Sequence, residues 1–213
     1  MRTGLLIAAL GLCLPAQTPP AAEAPTEMKG LPPRAAPADY QAHVDVGTVT
    51  LGAEFKGHSV PTLERPFTDE DYVAVEIGLF GPSGARTKIS ADDFSLRVND
   101  KKTPLPSRPI GVVLSSLKDP EWVAPDEADK KSKSGISTGG SGDSAPATPA
   151  HMPFELQRAM EQQVKKSVLP EGDRVLPQAG LLFFSYRGKT KGIHSLELIY
   201  NGPAGKATLA LEP

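Results

Sequence analysis

Cysteine is almost absent from this sequence, and that scarcity narrows the chemistry open to the protein. The single cysteine, Cys13, lies in an apolar run close to the N-terminus. If that run is removed after export, the remaining chain contains no disulfide, no thiolate nucleophile and no copper–thiolate centre. The folded part must therefore be held together by its own apolar core.

An excess of either charge is also missing. The chain has 23 Lys and Arg against 25 Asp and Glu, a formal net charge of −2. Proteins that bind nucleic acid or an anionic membrane usually show a strong positive balance, which is not present here. The one locally basic stretch is YRGKTKG, residues 186–192, which we interpret as an exposed hairpin tip. A nucleic-acid partner is therefore not expected.

Residues 1–16 have the layout of a secretory signal peptide. One basic residue is followed by an apolar run at residues 5–14 and then by small and polar residues. The run is too short to span a bilayer as a helix. We expect cleavage after Ala16, export to the periplasm or beyond, and no transmembrane segment thereafter. Lipid anchoring at Cys13 is the alternative, although Leu12 before it is not the small residue typical of a lipoprotein signal.

Composition divides the rest of the chain into one domain and two segments without hydrophobic periodicity. Residues 17–41, rich in proline and alanine, predict a flexible tether. Residues 42–213 are expected to form a single domain. Residues 118–150 interrupt it as a predicted disordered linker, because they bury too little apolar surface to offset the entropy of ordering. Trp122 is expected to anchor the start of this linker on the domain.

Alternating apolar and polar residues predict strands on both sides of the linker. In residues 71–84, for example, Val73, Val75 and Ile77 fall on one side of a half-buried strand. Strands are predicted at residues 43–55, 71–84, 93–105, 108–117, 179–188, 193–206 and 206–213. The end of the fourth, at residues 115–117, is also compatible with a helical turn. About seven strands and one helix predict a mainly β fold, an antiparallel β-sandwich.

The one predicted helix covers residues 153–169. Pro153 suits the first position of a helix, and Glu161 and Lys165 are spaced for an i,i+4 ion pair. Four apolar residues recur at every fourth position: Leu156, Met160, Val164 and Val168. Their narrow stripe predicts a helix that lies against one face or edge of the sheet.

Four sequence motifs together resemble a known family. They are YVAVEIGLFGPSG, ISADDFSLRVNDKKTPL, LPEGDRVLPQAGLLFFSYRG and SLELIYNGPAGKATLAL. Their succession resembles the bacterial extracytoplasmic immunoglobulin-like domains of the DUF4352 type, over residues 42–115 and 170–213. Residues 118–169 depart from that pattern. The resemblance implies an immunoglobulin-like sandwich on an exported protein, and it implies no functional residue.

Two acidic turns are the candidates for a polar site. Asp69 and Asp71 precede one predicted strand, and Asp92 and Asp93 precede the next. Neighbouring side chains of a strand point to opposite faces, so Asp92 and Asp93 cannot share a proton as a catalytic dyad does. We interpret both turns as caps in which carboxylates accept backbone N–H bonds. A calcium or other hard-cation site, formed if both turns meet at one end of the sandwich, is the alternative.

The remaining motif matches are interpreted as incidental. Ser137 fits a Gly-x-Ser-x-Gly pattern, but it lies within the predicted linker and not on a strand-to-helix turn. Residues 188–190 and 205–208 lack the earlier glycine of a phosphate loop. The four histidines lack the paired spacing of a zinc site: His43, His58, His151 and His194. We predict no catalytic, cofactor-binding or metal-binding residue and no cofactor.

These observations favour a non-enzymatic exported module that binds another envelope or secreted protein, or that has a structural role in the cell envelope. The alternative is a periplasmic protein that binds a small ligand or a metal ion through the acidic turns.

Overall fold

A computed structural model describes residues 29–122 and 152–213, which form a mainly β structure. Its strands are β1 (Ala42–Val46), β2 (Val49–Gly57), β3 (Ser59–Val60), β4 (Phe67–Asp69), β5 (Tyr72–Phe80), β6 (Arg86–Ile89), β7 (Phe94–Val98), β8 (Leu105–Arg108), β9 (Leu117–Lys118), β10 (Gly172–Val175), β11 (Gln178–Ser185), β12 (Leu196–Gly202) and β13 (Gly205–Leu211). The helices are α1 (Ile110–Val113) and α2 (Phe154–Ser167). The predicted signal peptide, Cys13, His151 and most of the predicted linker, with Ser137, lie outside the described residues.

Eight of the strands form one antiparallel sheet in the order β1-β2-β5-β11-β8-β7-β12-β13. The sheet curls until its two edge strands, β1 and β13, lie against each other. At this seam the Gln41 amide donates to the Glu212 carbonyl at 2.9 Å. Neighbouring strands of a sheet are twisted relative to one another, and over eight strands the twist brings the two edges together. The predicted mainly β antiparallel sandwich is confirmed, in a nearly closed, barrel-like form.

The interior of the curled sheet is the main apolar core. Phe94, Leu96 and Val98 of β7 all point into it and are at most 2% exposed, as their alternation predicted. Polar neighbours of these residues face outward, because successive side chains of a strand alternate between faces. This core contains no disulfide, so apolar burial supplies most of its stability.

A second apolar cluster covers the outer face of β5 and β11. Met160 and Val164 of α2 are buried in it, and Glu161 pairs with Lys165 at 3.7 Å, as the helical pattern predicted. Helix α1 and the small sheet β3-β4-β9 complete the cover. As a result β5 is buried on both faces, where the sequence predicted a half-buried strand. Alternation shows which residues share a face, but it does not show what lies above the second face.

Residues 29–41, here called the strap, pack across the same outer face. The Leu31 N–H donates to the Ala179 carbonyl of β11 at 2.9 Å. The Tyr40 ring is 4% exposed and lies directly over two glycines, Gly52 of β2 and Gly78 of β5. The strap therefore belongs to the folded domain, where the sequence predicted a tether through residue 41.

A closed group of charges holds the strap in place. The guanidinium of Arg34 and the ammonium of Lys56 each lie 3.0 Å from the buried carboxylate of Glu76, and both also pair with Glu54. Arg34 in addition lies over the Tyr40 ring, 4.4 Å from its centroid. Two acids and two bases balance one another, so burying Glu76 leaves no charge unpaired.

Two predicted strands have different structures. Residues 43–55 form a hairpin and not a single strand, because Gly47 has a positive φ of 60° and turns the chain between β1 and β2. Residues 108–117 were also predicted as a strand, but β8 ends at Arg108 and α1 follows.

Trp122 is partly buried, and its backbone N–H donates to the Asp119 carbonyl at 3.2 Å.

Candidate functional site

A cavity of about 250 Å³ opens beside β11, where the sheet is incomplete. Strand β8 is short and pairs with β11 only at Phe183 and Phe184. Further along the same edge, the segment after α2 is the hydrogen-bonded neighbour of β11: the Leu169 N–H donates to the Leu181 carbonyl at 3.1 Å. The cavity lies between β8, β11 and this segment, so it exists because neither neighbour covers the whole edge.

The cavity has an apolar floor and a charged mouth. The floor is formed by buried or partly buried side chains that belong to the two apolar clusters: Ile110, Val168, Leu169, Leu181, Leu182 and Phe183. The mouth carries three exposed charged side chains, Asp92, Arg108 and Glu171. An apolar interior with a few polar groups at its edge is typical of small-molecule sites.

Opposite charges face the cavity without neutralising each other. Within residues 29–122 and 152–213, the Arg108 guanidinium has no ion pair and no side-chain hydrogen bond, and the same holds for the Asp92 carboxylate. Glu171 differs, since its Oε1 accepts a hydrogen bond from the Ala91 N–H at 2.8 Å. The mouth therefore offers one cation and one carboxylate that are both available to a ligand.

Local hydrogen bonds position Asp92. It belongs to a 3-10 turn, Ala91–Asp93, whose first N–H is bonded to Glu171. The Ser90 hydroxyl accepts from the Asp92 N–H at 3.3 Å. Across the cavity wall, the Ser107 hydroxyl donates to the Ala91 carbonyl at 2.7 Å. The prediction that Asp92 and Asp93 cap this turn is wrong, because Ser90 and Glu171 do so and leave the Asp92 carboxylate free.

Asp93 is affected by the same arrangement. Burial raises the pKa of its carboxyl above the ordinary value, and the nearby negative charge of Asp92 raises it further, while Lys88 opposes both effects. Burial and this nearby charge thus both disfavour the charged form of the Asp93 carboxyl.

The other acidic turn has the capping role that the sequence predicted. Asp69 is fully buried, and its Oδ1 accepts from the Asp71 and Tyr72 N–H groups at 2.8 and 2.9 Å. Its Oδ2 accepts from the Ser116 hydroxyl at 2.9 Å. Burial raises the pKa of the Asp69 carboxyl although these hydrogen bonds favour its charged form. A carboxylate enclosed in this way holds the entry to β5 and is not open to a ligand.

The two acidic turns do not meet. Three antiparallel pairings separate β5 from β7, so these strands run in opposite directions and begin at opposite ends of the sheet. Asp69 and Asp71 lie at one end, and Asp92 and Asp93 lie at the other. In the part of the chain that is described, no three His, Cys, Asp or Glu side chains are grouped as metal ligands. The geometry does not support the cation site considered as an alternative.

The histidines and the two glycine–lysine segments lie in turns, in a loop, in a strand or at exposed positions. Nδ1 of His58 lies 2.6 Å from the Asp69 carbonyl oxygen, and Nε2 lies 2.8 Å from that of Gly188, so this ring links two turns. His43 and His194 are exposed. Residues 188–190 lie in the loop after β11 and lead only into a three-residue 3-10 turn, Thr190–Gly192. Residues 205–208 begin β13, so neither segment leads into an α-helix as a phosphate loop does.

No protein-family model, curated protein or solved structure matches the chain. The resemblance to the DUF4352 type therefore stays a prediction. Among the residues that the structure describes, no helix has both the length and the apolar character needed to cross a membrane.

Sequence reasoning singled out Asp92 but missed its partners at the cavity. Arg108 follows a short segment with two prolines, Pro104 and Pro106, and Glu171 follows Pro170. Neither position has a pattern that marks a ligand contact. They become neighbours only because β8 and the segment after α2 flank the same edge of β11. An arginine without a nearby acidic residue in sequence is the one weak signal that was available.

Proposed function

We propose that this chain is a non-enzymatic exported binding module of the cell envelope, and that its cavity binds a small zwitterionic organic ligand with an apolar portion. The chemistry corresponds to that of an apolar amino acid or a similar molecule. One observation carries the proposal: Arg108 and Asp92, both free of partners in the described structure, stand at the mouth of an apolar cavity.

Each part of such a ligand has a matching group in the protein. A ligand carboxylate suits the planar guanidinium of Arg108, which can donate two parallel hydrogen bonds. A ligand ammonium suits the Asp92 carboxylate, and the apolar portion suits the leucines and phenylalanine of the floor. The cavity volume of about 250 Å³ lies just below the usual range of small-molecule pockets and favours a compact ligand.

Binding without catalysis fits the character of the lining. Among the residues that the structure describes, those that line the cavity include no histidine, cysteine or tyrosine, and the hydroxyl of Ser107 donates to a backbone carbonyl instead of facing a base. A nucleophile needs an adjacent base within hydrogen-bonding reach. The expected signal peptide supports export, which is an inference from residues 1–16 alone.

The test compares amino acids with analogues that lack one charge. Apolar L-amino acids, their N-acetyl derivatives and their amides would be titrated by calorimetry and by thermal shift, since a ligand that binds only the native state raises the melting temperature. Arg108→Gln should weaken binding of the zwitterion by about tenfold or more, the range expected for a lost charged hydrogen bond. Asp92→Asn should have a similar effect, and it should remove the advantage of the zwitterion over its N-acetyl derivative.

Arg86→Gln is the matched control, because Arg86 is exposed and pairs with Asp173 on the separate β6-β10 ribbon. This variant should bind like the unaltered protein. The proposal fails if no member of the panel binds, or if Arg108→Gln and Arg86→Gln change the affinity equally.

A further inference from the structure

Two basic turns that are distant in sequence are joined at one end of the sheet. Asn99, in the turn after β7, donates its backbone N–H to the Ser195 carbonyl at 2.9 Å. Its side-chain amide donates to the Gly192 carbonyl at 2.8 Å and accepts from the His194 N–H at 2.7 Å. Asn99 itself has a positive φ of 52°, which the tight turn requires. These bonds hold the loop before β12 beside the turn after β7.

The joined turns carry more positive than negative charge. Arg187 in the same loop is already paired with Asp71 at 2.9 Å, and Asp100 is the acidic residue of the two turns. Four lysines are exposed and have no ion-pair partner anywhere in residues 29–122 or 152–213: Lys101, Lys102, Lys189 and Lys191. We call these four lysines the basic end. Their grouping is a tertiary property, since about ninety residues separate the two pairs in the chain.

The chain as a whole has a net charge of −2, so any attraction to an anionic surface must come from a local group of charges. We propose that the basic end binds the surface of a bilayer that contains anionic phospholipid. Lysine ammoniums on flexible stems act as point charges and tolerate the irregular positions of lipid phosphates. The large exposed hydrophobic residues of the described structure, Leu63, Val112, Phe154 and Val175, all lie outside these turns. A protein interface normally needs an apolar or aromatic anchor of that kind, and single-stranded nucleic acid needs exposed aromatic rings for stacking.

The position of the basic end also suits this role. It lies at the end of β7, whereas the cavity lies at the start of β7, so the two surfaces are at opposite ends of that strand. Contact with a bilayer through the basic end would leave the cavity accessible. The inference does not depend on what the cavity binds.

Vesicle sedimentation with the full chain tests the proposal. Phosphatidylcholine vesicles with and without phosphatidylglycerol would be compared at increasing salt. Neutral vesicles measure any contribution of the apolar run at residues 5–14, which all variants share. The protein should prefer the anionic vesicles, and salt should weaken the preference. Each lysine near the surface contributes about fivefold in binding, so the pair Lys101→Gln with Lys102→Gln, or Lys189→Gln with Lys191→Gln, should weaken it roughly 30-fold.

A control pair of lysines distinguishes an effect of this local surface from an effect of the protein's net charge. Lys88 and Lys206 are also exposed but lie on β6 and at the start of β13, at the opposite end. Changing both to Gln alters the net charge equally and should reduce binding much less. Equal losses from the control pair and the basic-end pairs would overturn the inference. So would the absence of any preference for anionic vesicles, or binding to polyglutamate without binding to vesicles, which would assign the surface to an acidic protein.

Discussion

The packing of Tyr40 on Gly78 allows a decisive test of the strap. A Cβ added at Gly78 would lie 2.5 Å from both Cζ and Oη of the Tyr40 ring, and 2.7 Å from Cε2. The ring has little freedom to move away, because it is 4% exposed and Arg34 lies over one face. The Phe80 ring packs against it in a T-shaped arrangement, with 5.9 Å between the two ring centroids. Gly78→Ala should therefore force the strap away from the sheet.

The expected free energies follow from known classes of substitution. Overpacking of this kind costs about 1–3 kcal/mol. Tyr40→Ala removes a buried aromatic ring and should cost about 3–5 kcal/mol. Tyr40→Ala removes the three atoms that lie nearest to the added Cβ. In that background Gly78→Ala should instead stabilise the protein by about 0.4–1 kcal/mol, because alanine restricts the unfolded chain. The sign of the Gly78→Ala effect should thus reverse between the two backgrounds.

Urea unfolding of the four proteins in this double-mutant cycle measures the coupling, with linear extrapolation to water. The expected coupling is about 1.5–4 kcal/mol. Gly111→Ala is the matched control, since a Cβ there meets nothing within 4 Å, and it should be neutral or slightly stabilising. If Gly78→Ala destabilises equally with and without the Tyr40 ring, the strap does not pack as described and residues 29–41 are a tether after all.

Three further predictions concern the buried residues Asp69, Gly180 and Tyr40. Burial raises the pKa of the Asp69 carboxyl. The neutral carboxyl therefore contributes to the stability of the fold when the pH is below the ordinary carboxyl pKa of about 4, and this contribution declines as the pH rises through the raised pKa. The Asp69→Asn variant should not show that decline when urea unfolding midpoints are measured between about pH 4 and 7. If the variant and the unaltered protein have parallel pH profiles, the decline does not come from Asp69. Gly180→Ala would place a Cβ 2.3 Å from the Leu169 backbone nitrogen. The variant should therefore be destabilised by about 1–3 kcal/mol, and binding in the cavity should be abolished. An unchanged affinity for the amino-acid ligand in calorimetry would contradict this. The Tyr40 hydroxyl is buried, and its interaction with the Arg34 backbone N–H falls short of ordinary hydrogen-bond geometry. Tyr40→Phe should therefore leave the thermal midpoint unchanged or raise it, and a clear loss of stability would show that this contact is a full hydrogen bond.

The predictions that succeeded rest on local periodicity. In β7 and α2 the repeat of apolar residues, every second or every fourth position, indicated both the element and its buried side. The acidic turn at Asp69 was predictable for a similar reason, since a short carboxylate bonds to backbone N–H groups two or three residues away. Predictions failed where a local pattern had two solutions. Residues 43–55 alternate equally well as one strand or as a hairpin, and only the conformation of Gly47 decides between them.

Local patterns were sufficient to predict the mainly β class, the inner face of the sandwich and the helix that packs on it, because periodicity and residue size act over a few positions. Three features depend instead on the folded arrangement: residues 29–41 cover the sheet, Asp92 faces a cavity with Arg108, and four lysines form one surface. Each of these depends on which strands become neighbours, and the pairing of β8 with β11 or of β7 with β12 joins residues far apart in the chain. Such pairings are selected by the packing of the whole core, so no local stretch of sequence contains them.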